Sequence, residues 1–331
     1  MKDMKVLIFG AGVLGSLYAA LLHEAGSDVT LVARGSRYKG LIKYGVALKK
    51  FDTGEESTTR VRVVEGMPAD EYFDVCLVLV QKTQLESTLS ALKVNPHIPA
   101  FVFMNNTAEG PQAMINALGR ERVMMGHANA GGERVGHVVH YMISQEITLG
   151  ELDGRKSERL VKIADTFKEA GLDVAFSANI DSWKRYHVAL AIPFGCAMYM
   201  NEACNIRLSE NREDVIKCLQ GIREAFAVLR KLGYPVEPPK LRWVFALPDF
   251  ILAPLFQRVL KTNIADIGLA RHLRNAREEM EQLEEEFFLL VEKSGLDTPV
   301  LDELVRASGP SAPAGENKPA SGEVKGLSST G

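Results

Sequence analysis

Cysteine is scarce in this chain and tryptophan scarcer. The four cysteines, Cys76, Cys196, Cys204 and Cys218, form no CxxC pair and lie in no histidine-rich neighbourhood. That pattern argues against a thiol-held metal, a dithiol redox centre and a disulfide framework. The expectation is reduced, mostly buried thiols in a cytoplasmic protein without a metal site. Charge of one sign is also lacking, since 39 Lys and Arg stand against 42 Asp and Glu for a net charge of −3. A polyanion has no electrostatic reason to bind, so neither nucleic acid nor membrane is expected as a partner. Long unbroken apolar runs are missing too. The stretch Leu241 to Leu260 has the length of a membrane span, but Arg242, Asp249, Gln257 and Arg258 interrupt it and Pro248 and Pro254 break its helix. A buried helical hairpin, a lid or a subunit interface in a homodimer is expected there instead. The first apolar run is only strand-sized, so no signal peptide is expected at the start.

What is present begins at once. Lys5 to Phe9 (KVLIF) is a short apolar run of buried-strand type, followed by Gly10, Ala11, Gly12, Val13, Leu14 and Gly15, then by the helical stretch SLYAALLHEAG and a second strand, Asp28 to Ala33. Strand, GxGxxG, helix and second strand in that order form a dinucleotide-binding unit. Gly10 permits the tight turn, Gly12 lets the backbone approach a pyrophosphate, and Gly15 lets helix and strand pack closely. The helix N-terminus would hold the phosphates. At the end of the second strand an NAD site carries a carboxylate for the ribose hydroxyl. Here the residues are Ala33, Arg34, Gly35, Ser36 and Arg37. A guanidinium pairs with a 2′-phosphate, so the expected cofactor is NADP(H), gripped at Arg34.

Beyond this unit, short β candidates alternate with helical stretches: Arg60–Val64, Asp74–Val80, Ala100–Met104 and Arg122–Met125, with helices at Leu85–Leu92 and Pro111–Leu118 between several of them. The alternation predicts an α/β, doubly wound Rossmann sheet. His137–Tyr141 and Glu146–Leu149 read as its antiparallel extension, before a helix at Lys156–Ala170 and a strand at Asp173–Phe176. After residue 178 strands give way to helices at Asp181–Ala191, Arg212–Leu232 and Asn275–Lys293. In the last, Met280, Leu283, Phe287 and Leu290 make one apolar face, with Glu281, Glu284 and Glu285 expected in solvent and Gly295 as the stop. The expected organisation is a cofactor domain at 1–178, an all-helical domain for substrate binding or dimerisation at 179–306, and a disordered tail at 307–331, rich in Gly, Pro, Ser and Ala.

These features together resemble the ketopantoate reductase (2-dehydropantoate 2-reductase) family: GAGVLG, the VAR ending, the Asn105 loop, the WKRY segment at Trp183–Tyr186 and the late helix ending in SGLDTP. The resemblance spans residue 5 to about residue 306. It implies reduction of the ketone of a 2-oxo acid by NADPH, with a lysine as proton donor and a glutamate and asparagines orienting the substrate. Asn105 falls on the asparagine that contacts nicotinamide and substrate. Glu279, sixteen residues before Gly295, falls on the glutamate. The family lysine stands two residues after the tryptophan, a place held here by Arg185, with Lys184 beside it. Arginine polarises a carbonyl but is a poor proton donor. Either the site is an electrostatic variant, or the helix is rotated to present Lys184. Two substrate asparagines fall on Ala189 and Pro193 and a serine on Ile267, which implies 2-dehydropantoate or a less polar analogue as substrate. The family's cofactor lysine after the fourth strand falls on Gln81. His187 and His272 are alternative proton donors, and His272 shares a face with Glu279 if one helix carries both.

Two competing readings stand beside the reductase: a protein that binds NADP(H) without turnover, as a sensor or partner, and another two-domain dehydrogenase, for which the helical half offers no motif. If Arg34 holds a 2′-phosphate, Arg34→Ala weakens NADPH binding at least about tenfold more than NADH binding. Titration of both nucleotides checks this, and equal losses would sink the assignment.

Overall fold

The computed structural model describes residues 4–128 and 130–309. Strands β1 (Lys5–Phe9), β2 (Asp28–Val32), β5 (Arg62–Val64), β6 (Val75–Val78), β7 (Phe101–Phe103), β8 (Val123–His127), β11 (Ile147–Glu151) and β12 (Val174–Phe176) form one sheet in the order β12-β11-β8-β7-β6-β1-β2-β5. All its pairings are parallel except β11 with β8. The central strands are apolar on both faces because both faces are covered, as a parallel sheet requires. Helices Val13–Glu24 and Glu158–Glu169 cover one face, where the rings of Tyr18 and Phe167 meet edge-on at 5.5 Å. Helices Leu85–Leu92 and Gln112–Leu118 cover the other.

The chain leaves β1 for β2 on one side and returns to β6 on the other, so a crevice opens at the carboxyl end of β1. The glycine turn lies in that crevice. Gly10 has φ +113°, a conformation that L side chains rarely adopt. A Cβ on Gly15 would stand 1.8 Å from the Gly10 carbonyl oxygen, so the helix starts in direct contact with the turn. Gly12 has nothing within 4 Å of its Cβ position.

A second sheet was absent from the sequence expectation. Strands β3 (Val46–Lys50), β4 (Glu56–Thr59), β9 (Ala130–Val135) and β10 (Val138–Ile143) assemble in the order β4-β3-β10-β9. The His137–Tyr141 segment, expected to extend the main sheet, therefore lies mostly in β10, parallel to β3 and antiparallel to β9. The physical reason is the helix Val13–Glu24, which buries Leu17, Tyr18, Ala19, Ala20 and Leu22, residues from most of its circumference. Such a helix needs cover on its outer side as well, and the small sheet supplies it.

The remaining chain is helical and has its own core, centred on helices Ile180–Met200, Arg212–Lys231, Arg277–Ser294 and Pro299–Ser308. The first of these runs nine residues beyond its expected end, through Pro193, which packs against Gly221. The expected Asn275–Lys293 helix is the helix Arg277–Ser294, and a break at Ala276 separates it from a short helix, Arg271–Asn275. Gly295, at φ 66°, ends the longer one. The last helix includes residues 307 and 308, and Arg277 Nη2 donates to the Ser308 and Gly309 carbonyls. The rest of the expected tail lies outside the described residues. Of the arrangements expected for Leu241–Leu260, a buried hairpin, a lid or a subunit interface, the fully buried hairpin is not the one observed. It forms helices Lys240–Val244 and Asp249–Leu260, and Trp243 and Phe250 are 72% and 70% exposed.

The two inner glycines of the turn predict different failures. Gly15→Ala forces helix and turn apart and costs about 1–3 kcal/mol of stability, read as a lowered Tm. Gly12→Ala leaves Tm unchanged and weakens nucleotide binding at least about tenfold, because the added methyl points into the space a pyrophosphate would fill. A calorimetric titration beside a thermal melt separates the two, and equal Tm losses would refute the distinction.

Candidate active site

The helix behind the glycine turn starts at Gly12 with no side-chain cap and no acid in its first turn. An uncapped helix N-terminus facing open space suits an anion, so this turn fits a nicotinamide dinucleotide by its pyrophosphate. Ala11 is buried, while Val13 and Leu14 are half-buried. Arg37 braces the turn from behind. Its Nε donates to the Ala11 carbonyl at 3.0 Å and its Nη2 to Ser16 Oγ at 2.7 Å. Burial, with a contribution from Arg134, pulls its pKa down to about 10, so it stays cationic at neutral pH. Arg34 is exposed at the start of the helix Gly35–Tyr44.

The helix Ile180–Met200 crosses the carboxyl end of β8 and presents two adjacent cations in different directions. Lys184 is 2% exposed, and its Nζ donates to the Gly126 carbonyl at 2.6 Å. Burial pushes its pKa down to about 7, against the opposing attraction of Glu279. Arg185 points to the loop after β7. Its guanidinium donates to the carbonyls of Ala108 and, at 2.7 Å, Glu109, pairs with Asp181 at 3.2 Å, and lies over the Tyr234 ring. One helical residue turns a side chain by about 100°, which is why neighbours in sequence serve different walls. Lys184 thus faces the end of β8 and Arg185 the loop after β7.

Glu279 is buried, and its Oε1 accepts from the Lys82 backbone N–H at 3.3 Å. Asn105 is buried at the end of β7, where its Nδ2 donates to the Asn106 carbonyl at 2.8 Å. Its Oδ1 is buried with no hydrogen-bond partner, an arrangement that costs free energy until a bound group supplies a donor. His127, next to Gly126, meets the Trp183 ring at 4.7 Å and the His187 ring at 4.1 Å, both tilted, while Trp183 and His187 stack on each other at 5.6 Å. Burial first, then the charges of His187 and Lys184, hold His127 neutral.

Sequence reasoning missed a buried brace beside this group. Lys82 Nζ lies 2.6 Å from Glu286 Oε1 and 3.0 Å from Glu109 Oε2, and Glu286 Oε2 accepts from the Ala108 and Glu109 N–H groups. Gln81, on the family lysine's place, is exposed, whereas Lys82 is buried. The available signal was spacing, since Glu286 lies seven residues after Glu279 on one helical face. Glu284, expected in solvent, is buried against Cys196, its Oε1 accepting from Sγ at 3.3 Å, and burial raises its pKa. The break at Ala276 removes the continuous helix that was to place His272 above Glu279, and the His272 side chain lies outside the described residues. Ala189, Pro193 and Ile267 are all buried. Among the described residues no group of three or more His, Cys, Asp or Glu could hold a metal. The thiols are free, and burial raises those of Cys76, Cys196 and Cys218.

Residues 6–154 match the family described as Ketopantoate reductase PanE/ApbA. Among similar proteins, the 2-dehydropantoate 2-reductase of Pyrococcus abyssi is 29% identical over 250 residues, 73% of this chain and 79% of its own. An uncharacterised oxidoreductase of Bacillus subtilis, YkpB, is 26% identical over 241 residues, 71% and 78% of the two chains. Among solved structures, the 2-dehydropantoate 2-reductase of Geobacter metallireducens superposes with a TM-score of 0.75 at 18% identity, over 92% of this chain and 98% of that one. D-mandelate dehydrogenase, in a ternary complex with NADH and anilino(oxo)acetate, gives 0.74 at 17% identity, over 92% and 97%. These two share the fold. Cofactor turn, matched domain and curated relatives agree: the chain is an oxidoreductase whose residues 6–154 form a ketopantoate reductase domain, and it is similar to 2-dehydropantoate 2-reductases beyond that domain.

Proposed function

We propose that the protein is an NADPH-dependent reductase that converts the ketone of a 2-oxo acid, 2-dehydropantoate or a less polar analogue, to the 2-hydroxy acid. One observation carries the reading: Lys184, buried against the Gly126 carbonyl beside Glu279, with a pKa near that of the medium. A general acid works best when its pKa lies close to the operating pH. Bound in the glycine turn, NADPH would supply a hydride for the carbonyl carbon, and the Lys184 ammonium would give its proton to the carbonyl oxygen as the C=O pair moves onto it. Arg185, already engaged by Ala108, Glu109 and Asp181, holds the loop and polarises the site from behind. Glu279 favours the charged form of Lys184 and orients the substrate. Asn105 offers its unpaired Oδ1 to a donor on nicotinamide or substrate. Gly10 to Gly15 hold the pyrophosphate and Arg34 the 2′-phosphate.

The substrate preference rests on the apolar residues at the three family polar positions, and on the Trp183, His127 and His187 rings beside Lys184. Stacked rings suit a flat or branched apolar group. The D-mandelate dehydrogenase neighbour was solved with anilino(oxo)acetate, whose phenyl ring has that character. On this reading residues 1–178 bind the cofactor and 179–306 complete the substrate site, in a cytoplasmic enzyme whose thiols stay reduced.

The test is NADPH oxidation with a panel of branched and aromatic 2-oxo acids. Turnover is expected, and Lys184→Ala lowers kcat by about 10²–10⁴. Arg185→Lys lowers Tm more than it lowers kcat, because a lysine cannot span the contacts of the guanidinium. Tight NADPH binding without turnover of any acid would favour the non-catalytic sensor.

The pH dependence has a definite sign. Reduction needs the ammonium, so kcat/KM for reduction falls as pH rises through about 7, and that for oxidation of the hydroxy acid rises. Stability moves the other way. With the folded pKa below the ordinary lysine value of 10.5, the folded state binds fewer protons than the unfolded between about 7 and 10.5. The cost of burying the ammonium is therefore full below pH 7 and is relieved as pH climbs. Lys184→Met flattens that rise in a series of denaturant melts, and an unchanged slope would show that the lysine is not desolvated.

A further inference from the structure

We infer that the hairpin formed by residues 240–261 is a surface anchor that lies on an anionic lipid bilayer. Its inner side belongs to the helical core: Leu252, Ala253 and Leu260 are buried, and Phe245 and Phe256 meet Phe226 and Phe194 edge-on. Its outer side presents Trp243, Leu247, Phe250, Ile251, Leu255 and Val259 to solvent. A continuous apolar face of this kind on a soluble domain marks an interaction surface.

The charges around it identify the occupant. The segment carries Lys240, Arg242, Arg258 and Lys261, all exposed, in a chain whose net charge is −3. Its one acid, Asp249, is neutralised by Arg223 Nη1 at 2.5 Å. Arg230 and Arg242 also line a cleft of about 140 Å³ behind the first helix. Exposed Trp, Phe and Leu between cations are the composition of a helix lying in the interface of an anionic membrane. A second copy is the poorer partner, since a two-fold contact through this face gathers two sets of four cations while the segment's only acid is already paired with Arg223.

The hairpin is held in shape beforehand. Arg223 also donates to the Phe245 and Leu247 carbonyls at 3.0 and 2.8 Å, fixing the bend between the helices. Gln257 and Asn205 tie the second helix to the neighbouring Asn205–Glu210 segment, through Ser209 and Leu260. A preformed face pays no ordering entropy on docking. No helix among the described residues is long and apolar enough to cross a membrane. Lying on the surface requires none, and in this respect the sequence-based expectation of no membrane partner changes.

The test uses the full-length protein and flotation with phosphatidylcholine vesicles, with and without phosphatidylglycerol. Binding to the anionic vesicles at least about tenfold above the neutral ones is expected, weakening with added salt. The Trp243→Ser/Phe250→Ser double variant abolishes flotation while Tm and NADPH binding stay unchanged. Lys240→Gln with Arg258→Gln reduces flotation without removing the apolar face. Failure to float with either vesicle overturns the proposal. So does a dimer in sedimentation equilibrium that the double variant dissociates, because the face is then a subunit interface.

Discussion

The arrangement depends on one desolvated charge. A lysine ammonium taken out of water is costly unless an acceptor meets it, and here the acceptor is the backbone carbonyl of Gly126 at the end of a central strand. That contact sets how high the helix Ile180–Met200 rides on the sheet. With the height set, Arg185 falls opposite the Ala108 and Glu109 carbonyls, and Gly110, at φ +87°, keeps room for the guanidinium. Lys82 and Glu286 hold the same loop from its other side. The loop that carries Asn105 is therefore gripped by the sheet, by one helix and by a second helix, and its amide is presented in a fixed place.

The cofactor side is organised by a different constraint, steric rather than electrostatic. Gly15 brings the helix against the turn, Gly10 makes the turn, and the small sheet presses on the helix from outside through Val46, Leu48 and Val139. Arg37 reaches back to Ala11 and Ser16 and stiffens the turn itself. The crevice beside β1 and the carboxyl ends of β7 and β8 lie along one edge of one sheet. A rigid sheet edge thus relates the phosphate-binding turn to the lysine without either touching the other.

What could be read in the sequence was what depends on neighbours along the chain. The glycine turn, the buried strands and the apolar stripe of Met280, Leu283 and Phe287 follow from local sterics and periodicity. The second sheet does not, because VALKK and AGGERV carry weak alternation and the sheet is joined by the parallel pairing of β3 with β10, segments far apart in the chain. The choice between Lys184 and Arg185 was also out of reach. Spacing from Trp183 specifies a position along the helix, while the rotation of the helix is decided by what its other face packs against. Glu284 misled for the same reason, since a run of acids looks solvated until a core wider than one stripe buries Glu284 and Glu286.

The substitutions at Ala189, Pro193 and Ile267 change the polarity around the site but leave its charge logic intact. Arg185 and Lys82 are each paired within the protein, which leaves their charges compensated before any ligand arrives. Lys184 is different: it meets a neutral carbonyl, and its pKa near 7 means that part of the population is uncharged at neutral pH. On the proposed function, a 2-oxo acid brings its own carboxylate into this low-dielectric space. A negative charge there raises the proton affinity of the lysine, as any nearby anion does. Substrate binding and protonation of the acid are then linked, so that the site charges its proton donor at the moment a carbonyl arrives to use it.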